Sequence, residues 1–218
     1  MSGIQVTTSP VEEPLAMQEV KDYLRVEDGV DERIIRPFII AARTMAEEHT
    51  GRTLMPTTYT LFVDGYDELA DPLWEGTRTG AFLNYYKNFI DLPKAPVQSV
   101  TSVSTFDDAD VETSFASSRY YVDSVREPAR IVLRQGETFP TAMRVANAIK
   151  IVYVAGYSNA FTVPEPIRMG MLQHIAFLYE HRGDMYETSG GLPKLIKHLY
   201  APFVIHRGMG SSALQGIG

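Results

Sequence analysis

The chain contains no cysteine, a single tryptophan and fewer cations than anions. Without thiols it forms neither disulfides nor thiolate zinc sites, and it has no cysteine nucleophile. This fits assembly in a reducing cytoplasm. No stretch approaches the roughly 20 apolar residues of a membrane span, and the opening MSGIQVTTSPVEEP lacks the basic-then-apolar order of a signal peptide. The chain is therefore expected to be soluble, not secreted by a signal peptide, and without a membrane partner. Basic residues are few as well: 20 Lys+Arg against 27 Asp+Glu give a formal net charge of -7. The cations are scattered singly among acids, whereas a protein that grips phosphate concentrates them on one face.

What is present is enough chain for a sizeable core. At 218 residues the protein is one medium domain, or one domain with an insertion, able to bury roughly 70% of its unfolded surface. With 12 Tyr and 10 Phe it is well supplied for a core or for adhesive interfaces. Residues 1–13 show no periodicity and read as a flexible or partner-ordered N-terminal arm. Helical spacing predicts a first helix over 15–25 and a second over 31–51, with Asp31 as N-cap and Gly51 as C-cap. The second helix carries Ile34, Ile35, Phe38, Ile39, Ala42, Met45 and Ala46 on its apolar stripe. Pro37 should kink this helix or delay its start by a turn.

After Gly51 the period changes to two. Thr57 to Asp64, Phe89 to Leu92, Val97 to Phe106, Tyr120 to Val122, Ile131 to Leu133 and Ile149 to Val154 read as short strands of a small antiparallel sheet inserted over 57–154. The segment 65–88 between the first two strands is rich in turn formers yet carries Leu69, Leu73, Trp74, Tyr85 and Tyr86. So much apolar surface predicts a packed segment, either a flap on its own domain or a contact with a neighbouring subunit or downstream partner. The last strand ends at Gly156, and Pro164 and Pro166 restrict the start of a helix over 165–182. Ile167, Met171, Ile175 and Leu178 recur at helical spacing, widened by Met169, Leu172, Ala176 and Phe177, so this helix is expected to be covered on several sides. A final helix over 193–206 and a Gly-rich tail over 207–218, flexible when alone, complete the chain. The predicted class is α+β: a small bundle of about four helices with an inserted antiparallel sheet, forming one domain over 14–206.

Motifs with chemistry are sparse. His174 and His181 lie seven apart on one predicted helix, but no third ligand and no HExxH spacing accompany them, and His49, His198 and His206 have no paired acid. DDAD, Asp107 to Asp110, lacks the glycine and terminal glutamate of a calcium loop and reads as a hairpin turn. Ser158 in GYSNA is not at the centre of GxSxG and reads as turn chemistry. The Glu12-Glu13 and Glu47-Glu48 pairs fall on expected solvated faces. No phosphate-cradling glycine motif is present. These observations predict no catalytic residue, no metal site, no cofactor and no enzyme, but an oligomeric α+β assembly component.

The order of the pieces resembles the head-to-tail connector, or adaptor, proteins of long-tailed bacteriophages, which include head-completion proteins beneath the portal. The similarity is carried by MQEVKDYLRVED (17–28), DERIIRPFIIAARTMAEEHTGRTL (31–54), the threonine-rich strand at 57–64, IDLPKAPVQSVTSVSTFD (90–107), YYVDSVREPARIVL (120–133), IKIVYVAGYSNAFTVPEPIRMGMLQHIAFLYEHR (149–182) and the short last helix, from about residue 15 to 205. Pro37 and the long 65–88 segment depart from the family's pattern. The resemblance implies a virion protein of the neck, assembled in the bacterial cytoplasm as a homo-oligomeric ring, commonly a dodecamer. Such a ring sits under the portal protein, extends the DNA channel and docks a stopper or tail-completion protein. Genomic DNA would pass without specific binding, which the acidic charge suits. A ring of this kind needs complementary patches on opposite sides of each subunit. Ile34, Phe38, Ile167, Met171, Ile175 and Leu178 are then expected to pack the helices together, and the tail, through His206, Arg207, Met209, Leu214 and Ile217, to contact the portal. Leu73, Trp74, Tyr85 and Tyr86 become candidates for an inter-subunit or downstream contact. The alternatives are another neck or tail component, such as a tail terminator, and a phage-encoded hydrolase using scattered acids.

Overall fold

The computed structural model describes residues 2–27, 32–64, 89–181 and 192–205. Among these are four α-helices, α1 (Met17–Leu24), α2 (Glu32–Thr50), α3 (Glu165–Glu180) and α4 (Lys194–Tyr200), and eight strands. The strands are β1 (Ser2–Thr8), β2 (Thr57–Val63), β3 (Phe89–Asp91), β4 (Val97–Phe106), β5 (Glu112–Ser114), β6 (Tyr120–Asp123), β7 (Arg130–Leu133) and β8 (Ile149–Ala155). The class is α+β. The chain divides into two compact units, a sheet unit from 2–9 and 57–155 and a helical unit from 10–56 and 156–205.

The sheet unit contains a five-stranded antiparallel sheet in the order β1-β2-β8-β4-β5 and a three-stranded one in the order β3-β7-β6. Its centre is β8, where strict alternation buries Ile149, Ile151, Tyr153 and Ala155 and turns the residues between them the other way. Leu61 of β2 pairs with Ile151, and Tyr59 with Tyr153, whose rings stack at 5.8 Å. The Tyr153 hydroxyl donates to the Pro93 carbonyl at 2.5 Å, so this buried phenol is not left unpaired. Ile149, Ile151 and Leu61, all buried, each contribute roughly 1.5–3 kcal/mol by leaving water.

Two strands lie outside the expected set. Residues 2–8, read from sequence as a flexible arm, form β1 along the edge of the sheet, registered from Ser2 against Val63 to Thr8 against Thr58. The short β5 pairs with the end of β4. Both have few apolar residues and are held mainly by ladder hydrogen bonds to a neighbour, which a periodicity argument does not register.

The helical unit has its own core of Leu15, Val20, Ile35, Ile39, Ala42, Ala46, Val163, Ile167, Met171, Ile175, Ile196 and Tyr200, among others. α2 starts at Glu32 and passes through Pro37, so the proline does not delay the helix. Its exposed position places the ring on the outer side. α3 packs on α4 at a point of close approach. A Cβ on Gly170 would stand 2.4 Å from Cε1 of Tyr200, so only glycine lets the tyrosine ring lie against this turn. Gly156 has the same necessity for a backbone reason: its φ is +121°, and a Cβ there would meet the Met55 carbonyl oxygen at 2.3 Å.

Candidate functional surface

The residues that look most like chemistry turn out to be fasteners. Glu47, expected on a solvated face, has a side chain only 12% exposed. It accepts from the Leu54 amide at 2.8 Å and from Arg43 at 3.1 Å, while Arg43 also donates to Glu13 at 2.7 Å. The chain reverses after Gly51, which brings Leu54 back against the helix that carries Glu47. Arg52 donates to the Phe203 carbonyl at 2.7 Å, and the Ile205 amide to the Thr50 carbonyl at 2.8 Å. The helix end EEHTGRTL thus ties the last turn of α2 to the segment after α4. At the start of α3, Arg168 donates to Glu19 of α1 at 2.6 Å.

No group of three or more His, Asp or Glu able to hold a metal occurs among the described residues. His174 is buried, and burial lowers its pKa from the ordinary 6.5. His181 lies just past α3, where its ring stacks on Phe177 at 4.4 Å. His49 lies beside Tyr200 at 5.9 Å, His198 is exposed and His206 lies outside the described residues. Asp107 caps the β4–β5 turn, accepting from the Ala109 and Val111 amides at 2.9 and 2.8 Å. Ser158 belongs to a turn, 3.3 Å from the Thr162 hydroxyl. Arginines of the sheet unit lie over rings, Arg144 on Phe106 at 3.9 Å and Arg119 on Phe115 at 4.5 Å. Both also pair with carboxylates, Arg144 with Asp110 and Arg119 with Glu137. No helix of the described residues is long and apolar enough to cross a membrane.

Of the residues expected to pack the helices, Ile167, Met171 and Ile175 are fully buried, and Phe38 packs against the same core while half-buried. Leu178 is half-buried. Ile34 is a correction: it is 38% exposed, and its neighbour Ile35 is buried in its stead. The inward positions of α2 are 35, 39, 42, 46 and 50, and a shift of one residue turns a helical side chain by about 100°. Leu73, Trp74, Tyr85 and Tyr86, and His206, Arg207, Met209, Leu214 and Ile217, lie outside the described residues.

What the fold does assemble is surface. The outer side of α2 carries an open groove of about 480 Å³ lined by Arg33, Arg36, Pro37, Ile40 and Ala41. A smaller one of about 230 Å³ adjoins it through Arg36 and is lined also by Glu13, Leu15, Met17 and Ile39. Before α3, the turn Ala160–Thr162 presents Phe161 at 88% exposure. This turn is rigidly built. The Asn159 side chain accepts from the Phe161 and Thr162 amides at 3.0 and 3.1 Å, and the Asn159 amide donates to the Thr162 hydroxyl at 3.2 Å, a reciprocal capping box. Sequence reasoning assigned these residues to the crossing and missed the aromatic tip; a phenylalanine between two capping residues is the signal that marked it.

No family model matches the chain, and no curated protein matches it in sequence. Its fold is shared with solved structures. A chain from the neck of the empty GTA particle computed with C6 symmetry has 22% identity and a TM-score of 0.71, over 96% of this chain and 98% of that one. A chain of the virion of the native gene transfer agent (GTA) particle has 18% identity and a TM-score of 0.71, over 95% and 98%. A chain from the neck of the native GTA particle computed with C12 symmetry has 21% identity and a TM-score of 0.68, over 96% and 98%.

Proposed function

We propose that this protein is a head-to-tail adaptor of a tailed-phage-like particle. It forms a homo-oligomeric ring, a dodecamer, beneath the portal protein, extends the DNA channel and presents the docking surface for a stopper or tail-completion protein. The observation that carries this reading is a fold likeness to particle neck chains that leaves almost nothing of either chain unmatched, 96% and 98% at a TM-score of 0.71. The comparison chains come from necks computed with C6 and C12 symmetry, which suits a ring. The formal charge of -7 suits a conduit, since an acidic lining repels phosphate where a basic one retains it. The residues nearest to catalytic types are spent on holding turns together, which favours a structural role over a hydrolase.

The test is electron microscopy of the full-length protein mixed with the portal protein encoded in the same genome. Rings coaxial with the portal are expected. A protein that leaves the portal bare but caps isolated tail tubes is a tail terminator, and the adaptor reading fails. On the same reading the tail over 206–218 holds the portal. Deleting 207–218 should weaken portal binding while leaving the far-ultraviolet circular dichroism unchanged, and undiminished binding removes the tail from the contact.

A further inference from the structure

The helical unit exposes two apolar surfaces that point away from each other. α2 turns Ile35, Ile39, Ala42 and Ala46 into the core and α3 does the same with Ile167, Met171 and Ile175. These inward stripes belong to one core, so the sides opposite to them face outward in different directions. On the α2 side is the shallow groove, lined by Ile40, which is 41% exposed, and by Arg33 and Arg36. On the α3 side are Phe161 and, at 43% exposure, Met169, with the Glu165 carboxylate between them in sequence and largely in solvent. One surface carries cations beside its apolar residues; the other carries an anion, Glu165, which Arg168 of the same helix also approaches at 3.4 Å.

We propose that the α2 groove receives Phe161 and Met169 of a second copy of this chain, with Arg36 facing Glu165 across the contact. This rests on the ring reading and names its subunit contact. The fit has three parts. A large aromatic held at high exposure on a hydrogen-bonded turn loses little freedom on docking, which is how an interface anchor gains affinity. A guanidinium lining the groove can lie over the incoming ring. The contact is also heterologous, each copy offering its knob to one neighbour and its groove to the other, the arrangement that generates a closed ring when the rotation closes. An isologous pairing of two α2 faces would instead set Arg33 and Arg36 against the same residues of the partner, cation against cation.

The absence of native cysteine makes the test clean. The full-length protein carrying both Ala41→Cys and Ala160→Cys, which leave Ile40 and Phe161 in place, treated with a bismaleimide while assembled on its portal, should give a denaturing-gel ladder of linked multimers. Each single-cysteine variant should stay at the monomer position. Arg36→Glu in the double-cysteine background should reduce the ladder several-fold, and adding Glu165→Arg should restore it. No ladder, dimers alone, or dimers from a single-cysteine variant overturn the contact. The ring reading is judged separately on the same samples by microscopy: rings without a ladder end this proposal and leave the adaptor standing, whereas bare portals end the adaptor reading itself.

Discussion

The helical and sheet units hold themselves together in different ways. The sheet unit follows the plainest rule available to a strand, alternation, and its central β8 buries every second side chain while its neighbours complete the ladder. Its arginines are drawn back onto its own rings and carboxylates. The helical unit depends on specific ties across turns and between distant points of the chain: Glu47 reaching Leu54 over a chain reversal, Arg52 reaching Phe203, Gly156 against Met55, Gly170 against Tyr200. It is also the unit whose turn carries a phenylalanine in solvent and whose second helix carries an open apolar groove. A unit meant to present surface cannot hide all its apolar residues, and its shape must then be fixed by specific ties.

That contrast predicts where single substitutions hurt and how. The largest effect is expected at Gly156. Alanine there would have to abandon a φ of +121° and clear a backbone carbonyl 2.3 Å away, and no flexible side chain can yield. We expect Gly156→Ala to cost about 4 kcal/mol, read as a shift in the denaturant midpoint. Hydrogen exchange should speed up around Met55 and at the start of α3. A midpoint unchanged from the wild type would show that this junction tolerates a different backbone path.

Next is Ile151→Ala, the counterpart in the sheet unit. Ile151 is fully buried at the middle of β8, and truncation leaves a cavity costing about 3 kcal/mol. Here the lost protection should appear in β2, β4 and β8. Accelerated exchange confined to α2 and α3 would break the comparison, because it would place the sheet's central residue in the other unit's cooperative structure. Smaller is Glu47→Ala, which removes the acceptor for both the Leu54 amide and Arg43. About 2 kcal/mol is expected. Glu47→Gln should recover part of it, since an amide oxygen still accepts from the backbone donor. Equal losses in the two variants would mean that the charge, not the turn, is what Glu47 secures.

How much of this could be read from sequence follows the same division. The β8 alternation, the short strands β3, β6 and β7 and the buried positions of α3 were legible because periodicity reports a local, repeated relation to one core. β1 was not, since SGIQVTT is mostly small and polar and its ladder partner is as distant in sequence as Ser2 is from Val63. Ile34 and Ile35 both fit a helical stripe, and only the packing partner decides which turns inward. Glu47 looked like one of two adjacent surface acids because its role depends on a chain reversal through Gly51 and not on its neighbours. Phe161 was missed for the opposite reason: its signal is local, a phenylalanine between the capping residues Asn159 and Thr162, and no periodicity reports it.

The smallest expected effect concerns His174, in the core of the helical unit. The residue is 7% exposed, and its Nδ1 has no hydrogen-bond partner among the described residues. Burial disfavours the imidazolium and lowers the folded-state pKa below the ordinary 6.5. The unfolded chain therefore takes up a proton at higher pH than the folded one. Stability is insensitive to this group above about pH 7, declines as pH falls below 6.5, and levels off once the pH passes below the depressed folded value. One proton limits the slope to about 1.4 kcal/mol per pH unit. His174→Phe keeps a ring in the site and removes the titration, so its stability should decline less between pH 7 and pH 5 than that of the wild type. Parallel curves would place the acid sensitivity elsewhere, in the carboxylates that tie the turns.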